Sequence, residues 1–262
     1  MNDEKNNSSP KNQIQSLWIG GDLSTMERLS AQSFIDKGQE YHLYTYGSVG
    51  NIPPGVIIKD GNEILDKSEI FTYKNGSYSA FSNLFRFTLL EKRGGYWADT
   101  DLICVRSLKP LEEEDIVIVS EPSATYSEEV IPTSCFIKLP KGSEIAKEGI
   151  RIQREHKRLI QRGRLTWSSG PTTVKHIVNK FGLKDKILNW KAVCSCSWAD
   201  ARSIVEPNRR YNSAVIQDYS KIPHEMYCIH LWNEVWRRNG LDKNGTYNNS
   251  SIYETLKRTI SI

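Results

Sequence analysis

The chain has 262 residues, 38% of them hydrophobic, and a formal net charge of +4; this is enough chain for a full hydrophobic core, and the charge does not point to nucleic acid. No run of about 18 apolar residues occurs and the first dozen residues are polar, so neither a spanning helix nor a secretion signal is expected, and the chain is assigned to the cytoplasm. Five cysteines, an odd number, suit a reducing compartment, and Cys194-Ser195-Cys196 lacks the two-residue gap of zinc and redox pairs.

Residues 1–12, rich in Asn, Lys and Ser, read as a disordered arm. Residues 13–238 read as one domain, and residues 239–262 as a tail. Gln13 to Gly21, QIQSLWIGG, is a short apolar run closed by two glycines, as expected of a first central strand that opens into a loop near a ligand. Ser24 and Glu27 form a capping box for a helix that carries Met26, Leu29 and Phe34 toward Gly38. Tyr41 to Tyr46 is the next strand, so the chain opens β-α-β, the signature of a parallel sheet. Gly47 to Gly61 is loop-rich around Val56-Ile57-Ile58, and Asn62 to Tyr73 is read as a helix and connection.

Tyr78 to Leu108 is the most informative stretch. Phe81, Leu84, Phe85 and Leu89 recur at helical spacing, which predicts an amphipathic helix with one face on a sheet. Lys92 and Arg93 occupy its last turn, and Gly94-Gly95 end it. Tyr96-Trp97-Ala98 then leads to Asp99-Thr100-Asp101, followed by a buried strand, Leu102 to Val105. If the backbone stays extended, two carboxylates at i and i+2 beside a strand end point the same way, a site for Mg²⁺ or Mn²⁺ with open positions for phosphate oxygens. A bare Asp-X-Asp also occurs as a solvated acidic turn. On the helix, Asn83 and Arg86 lie one turn apart on the face away from the apolar stripe, where a guanidinium can grip phosphate and an amide a hydroxyl.

Arg86, Gly94-Gly95, Asp99 and Asp101 together resemble the sugar transferases with a DXD motif, which include capsule and lipopolysaccharide enzymes, outer-chain mannosyltransferases and α-1,4-galactosyltransferases, and which are related to the catalytic core of clostridial glucosylating toxins. The family pattern has Asp where this chain has Asn83. The resemblance implies a GT-A type fold: a Rossmann-like α/β domain with a mostly parallel central sheet flanked by helices. It also implies a divalent cation and a nucleotide-sugar donor. Trp18 alone could be a core aromatic; the W-I-G-G likeness to toxin-type members implies that it stacks on uracil, with Leu17 and Ile19 beside the base. A UDP-sugar is therefore favoured, GDP-mannose being the alternative.

Leu108 to Glu114 is read as a solvated acidic connection, and Asp115 to Ser120 and Thr133 to Leu139 as strands. In the latter, Ser134 stands near the place of a family element that borders the sugar. Gly142 to Gln161 is predicted helical and turns basic at Arg151, Arg154, Lys157, Arg158, Arg162 and Arg164, either a solvated face or a landing site for an anionic partner such as a membrane surface. Trp167-Ser168-Ser169-Gly170-Pro171 resembles the family's T-G-P element, which puts Gly170 against the donor and starts a helix from Thr172 to Phe181. Tyr227 to Trp236 reads as a strand entering an aromatic loop and resembles the closing H-x-W-x-x-x-W element. By that resemblance His230 approaches the metal or diphosphate, Asn233 is a rival ligand, and Trp232 and Trp236 form a lid over the donor. Arg237 and Arg238 stand where they could meet phosphate. Asn239 to Asn249 is read as flexible, and Ser251 to Ile262 as a short amphipathic helix that docks on the body or touches a membrane.

The reading is a metal-dependent, retaining glycosyltransferase in which Arg86, Asp99 and Asp101 carry the chemistry. The acceptor is read as a glycan or lipid-linked oligosaccharide in surface polysaccharide synthesis, with peripheral membrane contact. The alternatives are a protein-modifying transferase and a non-catalytic sugar- or anion-binding module.

Overall fold

In a computed structural model, residues 12–166 and 170–262 are described; the predicted arm (residues 1–12) lies almost wholly outside them, as do Trp167, Ser168 and Ser169. The first strand, β1 (Ile14–Leu17), is buried along its whole length, as a strand covered on both faces must be. Its polar residues are satisfied by its neighbour: Gln15 donates to Gly94 O at 2.7 Å and Ser16 to Ala98 O at 2.6 Å. Helix α1 (Thr25–Asp36) starts at the expected capping box, with Ser24 N–H donating to Glu27 at 2.9 Å. Then follow β2 (Tyr41–Thr45) and the edge strand β3 (Val56–Asp60).

Asn62 to Tyr73 does not form the α-helix expected there. It holds two short 3₁₀ turns, because the Asp60 and Asp66 carboxylates accept from Asn62 and Ser68 N–H at 2.9 Å, a local bond that competes with helix propagation. Helix α2 (Ser79–Arg93) ends at Gly94, whose φ of +70° begins the turn into β4 (Gly95–Ala98). A Cβ at Gly94 would lie 2.6 Å from Lys141 N, so only glycine suits the close approach. Helix α2 is buried on nearly every side, not on one face: Phe81, Leu84 and Phe85 are fully buried, and so is Phe87, against which Gly149 of α3 (Glu144–Gln161) packs.

The remaining elements are β5 (Leu102–Cys104), β6 (Val117–Glu121), β7 (Ile131–Leu139), α4 (Gly170–Phe181), β8 (Ile187–Leu188), β9 (Cys228–His230), α5 (Asn233–Asn239) and α6 (Ile252–Thr259). The main sheet has the order β3-β2-β1-β4-β7-β6-β8. Pairs β1–β2, β2–β3, β1–β4 and β6–β8 are parallel, while β7 runs antiparallel to both its neighbours. Alternating residues feed two cores: Tyr96 and Ala98 face α1, α5 and α6, whereas Trp97 faces α2, α3 and α4. A small second sheet pairs β5 with β9 and sets Leu102 opposite His230.

Three surface expectations change. Leu108 and Leu111 are buried, so the acidic connection is anchored rather than fully solvated. Within the basic run, Arg151 pairs with Glu148 at 2.9 Å, and Arg154 and Lys157 pair with Glu69 at 3.2 Å; only Arg158, Arg162 and Arg164 remain as an exposed basic cluster. The segment expected to be flexible is tied to α1: Asn244 accepts from Thr25 N–H at 2.9 Å, and Lys243 pairs with Glu27. The predicted stripe of α6, Ile252, Leu256 and Ile260, is buried in the core, so that face is docked on the body. Among the described residues no helix is long and apolar enough to cross a membrane.

Candidate active site

The chain leaves β1 toward β2 and β3 on one side and reaches β4 on the other, so the carboxyl edge between β1 and β4 is a topological switch point, where open α/β sheets form a ligand crevice. A cavity of about 690 Å³ opens there. Leu17, Trp18 and Ile19 line it from the end of β1. Trp18 extends the parallel pairing through its N–H to Tyr44 O at 2.9 Å, and its indole N–H donates to Gly21 O at 2.9 Å. The Lys243 ammonium lies 5.3 Å from the ring.

Asn83 and Arg86 line the same cavity from α2, and both are buried. Arg86 is the hub: it bonds Asp99 at 2.5 Å, donates to Ser134, and its guanidinium lies 4.8 Å from the Trp97 ring centroid. Asp99 also accepts from the Trp97 indole at 2.7 Å, and its N–H is held by Cys135 O at 2.8 Å. Gly170 begins α4 tucked into this group: a Cβ there would lie 2.7 Å from the Ser134 hydroxyl and 3.4 Å from the Asn83 amide oxygen. That close approach explains the glycine of the Gly170-Pro171 element.

Asp101 belongs to the other half of the site. Its carboxylate accepts from Asn233 N–H at 2.7 Å and lies 3.4 Å from the His230 imidazole. Asn233 opens α5, so Asp101 caps a helix N-terminus, where an anion is favoured. The residue before it, Trp232, adopts φ +61°, ψ +51°, a left-handed turn that costs a bulky residue about 1–2 kcal/mol. The turn aims the Asn233 N–H at Asp101 and lays Trp232 over His230, with ring centroids 4.0 Å apart.

Asp99, Asp101 and His230 offer donor atoms that all lie within 4.8 Å of one another. Burial pushes the Asp99 carboxyl above the usual range, and Arg86 opposes that shift. Burial works the same way on Asp101, but His230 and the Asn233 N–H hold it below its usual range. Burial would depress His230, yet Asp101 beside it holds the imidazole well above its ordinary value. A half-buried carboxylate, a buried carboxylate and a buried imidazole are a hard, N/O donor set of the kind that suits Mn²⁺ or Mg²⁺, and a cation there would neutralise carboxylates that desolvation otherwise penalises.

Of the residues singled out from sequence, Leu17, Trp18, Ile19, Asn83, Arg86, Asp99 and Asp101 line the cavity, and so do Ser134, Gly170, His230, Trp232 and Asn233. Trp236 does not. The expected aromatic loop is the helix α5, and its Trp236 is fully buried, packed on Tyr253 at 4.8 Å between centroids; it is a core residue rather than a lid. Arg237 and Arg238 also line the cavity, each paired with Glu234 at 2.8 Å. Sequence reasoning missed Glu121, Thr133 and Trp198, which also line it. Burial raises the Glu121 pKa, partly offset by His230 and by a hydrogen bond to Thr133.

Residues 24–118 match the family described as the glycosyltransferase sugar-binding region containing a DXD motif. The matched stretch is 95 of the 262 residues. It contains Asn83, Arg86, Asp99 and Asp101, and the fold brings Trp18, Ser134, Gly170 and His230 to it from outside. The solved structure named PaToxG glycosyltransferase is similar at 16% identity, with 67% of this chain and 72% of that one aligned and a TM-score of 0.50; at that identity the likeness speaks for the fold. An active-site mutant of LgtC aligns over 95% of this chain and 96% of its own at 11% identity and TM-score 0.46. The catalytic domain of alpha-toxin from Clostridium novyi aligns over 67% and 64% at 11% identity and TM-score 0.38. No curated protein sequence matches the chain. The chain has the GT-A type fold, its mostly parallel sheet flanked by helices on both faces.

Proposed function

We propose that this glycosyltransferase moves a sugar from a UDP-sugar to a hydroxyl of a glycan or lipid-linked oligosaccharide, with retention at the anomeric carbon, on the cytoplasmic side of a membrane. The observation that carries the reading is the convergence of Asp99, Asp101 and His230 within 4.8 Å at the sheet edge that also presents Trp18 and Arg86.

Asp99, Asp101 and His230 would hold Mn²⁺ or Mg²⁺, with Asn233 beside them, and the bound ion would supply Lewis-acid stabilisation to a leaving diphosphate. The chain's own part follows from the geometry. The Trp18 indole offers a stacking face for uracil. Arg86 is held in place by Asp99, Ser134 and Trp97, so its positive charge needs no rearrangement as phosphate charge develops. Asn83 and Ser134 offer hydrogen bonds to sugar hydroxyls, and Gly170 leaves the room for them. Trp232 shields His230 from water, which limits wasteful donor hydrolysis. Protons compete with the ion for the His230 imidazole, so activity should fall on the acid side.

The test is release of UDP or GDP from a panel of nucleotide sugars with Mn²⁺, comparing wild type with Asp101→Ala. Metal-dependent hydrolysis of one UDP-sugar, lost in the variant, is expected. Turnover that persists in EDTA or in Asp101→Ala would contradict the assignment.

A further inference from the structure

The order of strands along the cavity floor orders the parts of a bound ligand. Trp18 follows β1, the Asp99–Asp101 pair follows its neighbour β4, and beyond β4 come β7 with Thr133 and Ser134, then β6 with Glu121. Adjacent strands lie about 4.8 Å apart, so Glu121 stands roughly 10 Å past the carboxylate pair, on the side away from Trp18. A nucleotide that spans β1 to β4 leaves this far end free for a second substrate.

The far end has its own chemistry. Glu121 is the last residue of β6 and is only partly exposed. On the neighbouring strand β7, the Thr133 hydroxyl acts on its carboxyl. An ionised carboxylate has room for about four acceptor bonds, so most of its capacity faces the cavity. Trp198 opens a short 3₁₀ helix, Trp198–Ile204, and is 48% exposed while lining the cavity. Its position is fixed from the same side: the neighbouring Ser197 N–H donates at 2.9 Å to the hydroxyl of Tyr126, in the loop that joins β6 to β7. A large apolar ring left half open at the mouth of a polar cavity is the kind of exposure that marks a binding surface.

We propose that Glu121 and Trp198 form the acceptor subsite and that the acceptor unit they take is an uncharged pyranose, whose C–H face lies on the Trp198 indole and whose hydroxyl donates to Glu121. This rests on the transferase reading above. A carboxylate accepts from hydroxyl donors in short, strong bonds, and it repels an anionic acceptor.

The test uses the full chain with Glu121→Gln and Trp198→Ala. Methyl α- and β-glucopyranosides and galactopyranosides are offered with UDP and Mn²⁺, with binding read by saturation-transfer NMR, and the ratio of glycoside transfer to donor hydrolysis is measured for each active nucleotide sugar. The expected result is binding of at least one glycoside by wild type, weakened at least tenfold in both variants, with the transfer-to-hydrolysis ratio falling by at least tenfold. Glycoside binding or a ratio that neither variant changes would overturn the subsite. Silence toward every glycoside with transfer to Ser-, Thr- or Tyr-containing peptides would overturn the pyranose assignment. Glycoside binding that depends on both residues, without turnover of any donor, would uphold the subsite and remove the transferase reading on which it was built.

Discussion

Arg86→Ala perturbs the pair on which the site's architecture leans. Arg86 is buried, whereas the side chain of Asp99 retains 29% exposure, so the Coulomb term is screened from one side. Removing one partner of a buried ion pair costs about 3–5 kcal/mol, and the partial exposure of Asp99 puts this case near the lower limit, about 3 kcal/mol, including the lost bond to Ser134 and the contact with the Trp97 ring. For a chain of this size that corresponds to a fall in Tm of about 6–12 °C. Arg86→Lys keeps the charge but not the fork that reaches Asp99 and Ser134 together, and should lose about half as much. The assay is thermal melting followed by circular dichroism in EDTA. Without Arg86, the folded-state pKa of Asp99, already raised by burial, moves further above its unfolded value. The variant therefore loses stability as pH rises through that value, and its gap from wild type should narrow from pH 7.5 to pH 5. Equal losses in the Ala and Lys variants, or a gap independent of pH, would refute the reasoning, because the lost stability would then be packing rather than charge.

Gly149→Ala sets helix propensity against packing. The alanine gains about 1 kcal/mol in a helix interior, but its Cβ would lie 2.4 Å from the fully buried Phe87 ring, and overpacking costs about 1–3 kcal/mol; urea unfolding should show a net loss of about 1 kcal/mol, and a gain would mean that α2 and α3 can separate freely. Glu148→Gln removes the anion shared by Arg151, His176 and Lys180. Those partners are half-exposed, so the loss should be about 1 kcal/mol. Because these partners hold Glu148 below its usual pKa, the gap should be full above the unfolded glutamate value of about 4.3 and close as pH falls below it. A gap that widens in acid would contradict the pairing. Trp18→Ala should weaken UDP binding about tenfold in calorimetry, near the worth of one stacked base, and unchanged affinity would remove the base-stacking role.

Local chemistry made the middle of the chain legible. Helix α2 announces its end with Lys92-Arg93-Gly94-Gly95, and Asp99 and Asp101 follow the end of β4 at once, not by the alternation of an extended strand but in a turn closed by Leu102 N–H on Asp99 O at 3.1 Å, so these positions need little knowledge of the rest of the fold. The capping box at Ser24 and Glu27 is equally local. Glu121 and Trp198 could not be found this way. They meet the cavity because β7 inserts antiparallel between β4 and β6, a long-range pairing that no nearby residue signals. Trp236 failed for the opposite reason: its spacing from His230 and Trp232 invited a loop, but a left-handed turn at Trp232 starts α5 and sends Trp236 into the core. Asn62 to Tyr73 was lost to the turn-forming side chains of Asp60 and Asp66, which outweigh weak helix propensity over so short a stretch.

The central claim is that Asp99, Asp101 and His230 make nucleotide binding depend on a divalent cation. Calorimetric titration of UDP into the protein, first in EDTA and then with saturating Mn²⁺, tests it without an acceptor or a chosen sugar. The expected affinity is at least tenfold higher with Mn²⁺, with no such gain in Asp101→Asn. Equal affinity with and without the ion, or a gain that survives the substitution, would contradict it.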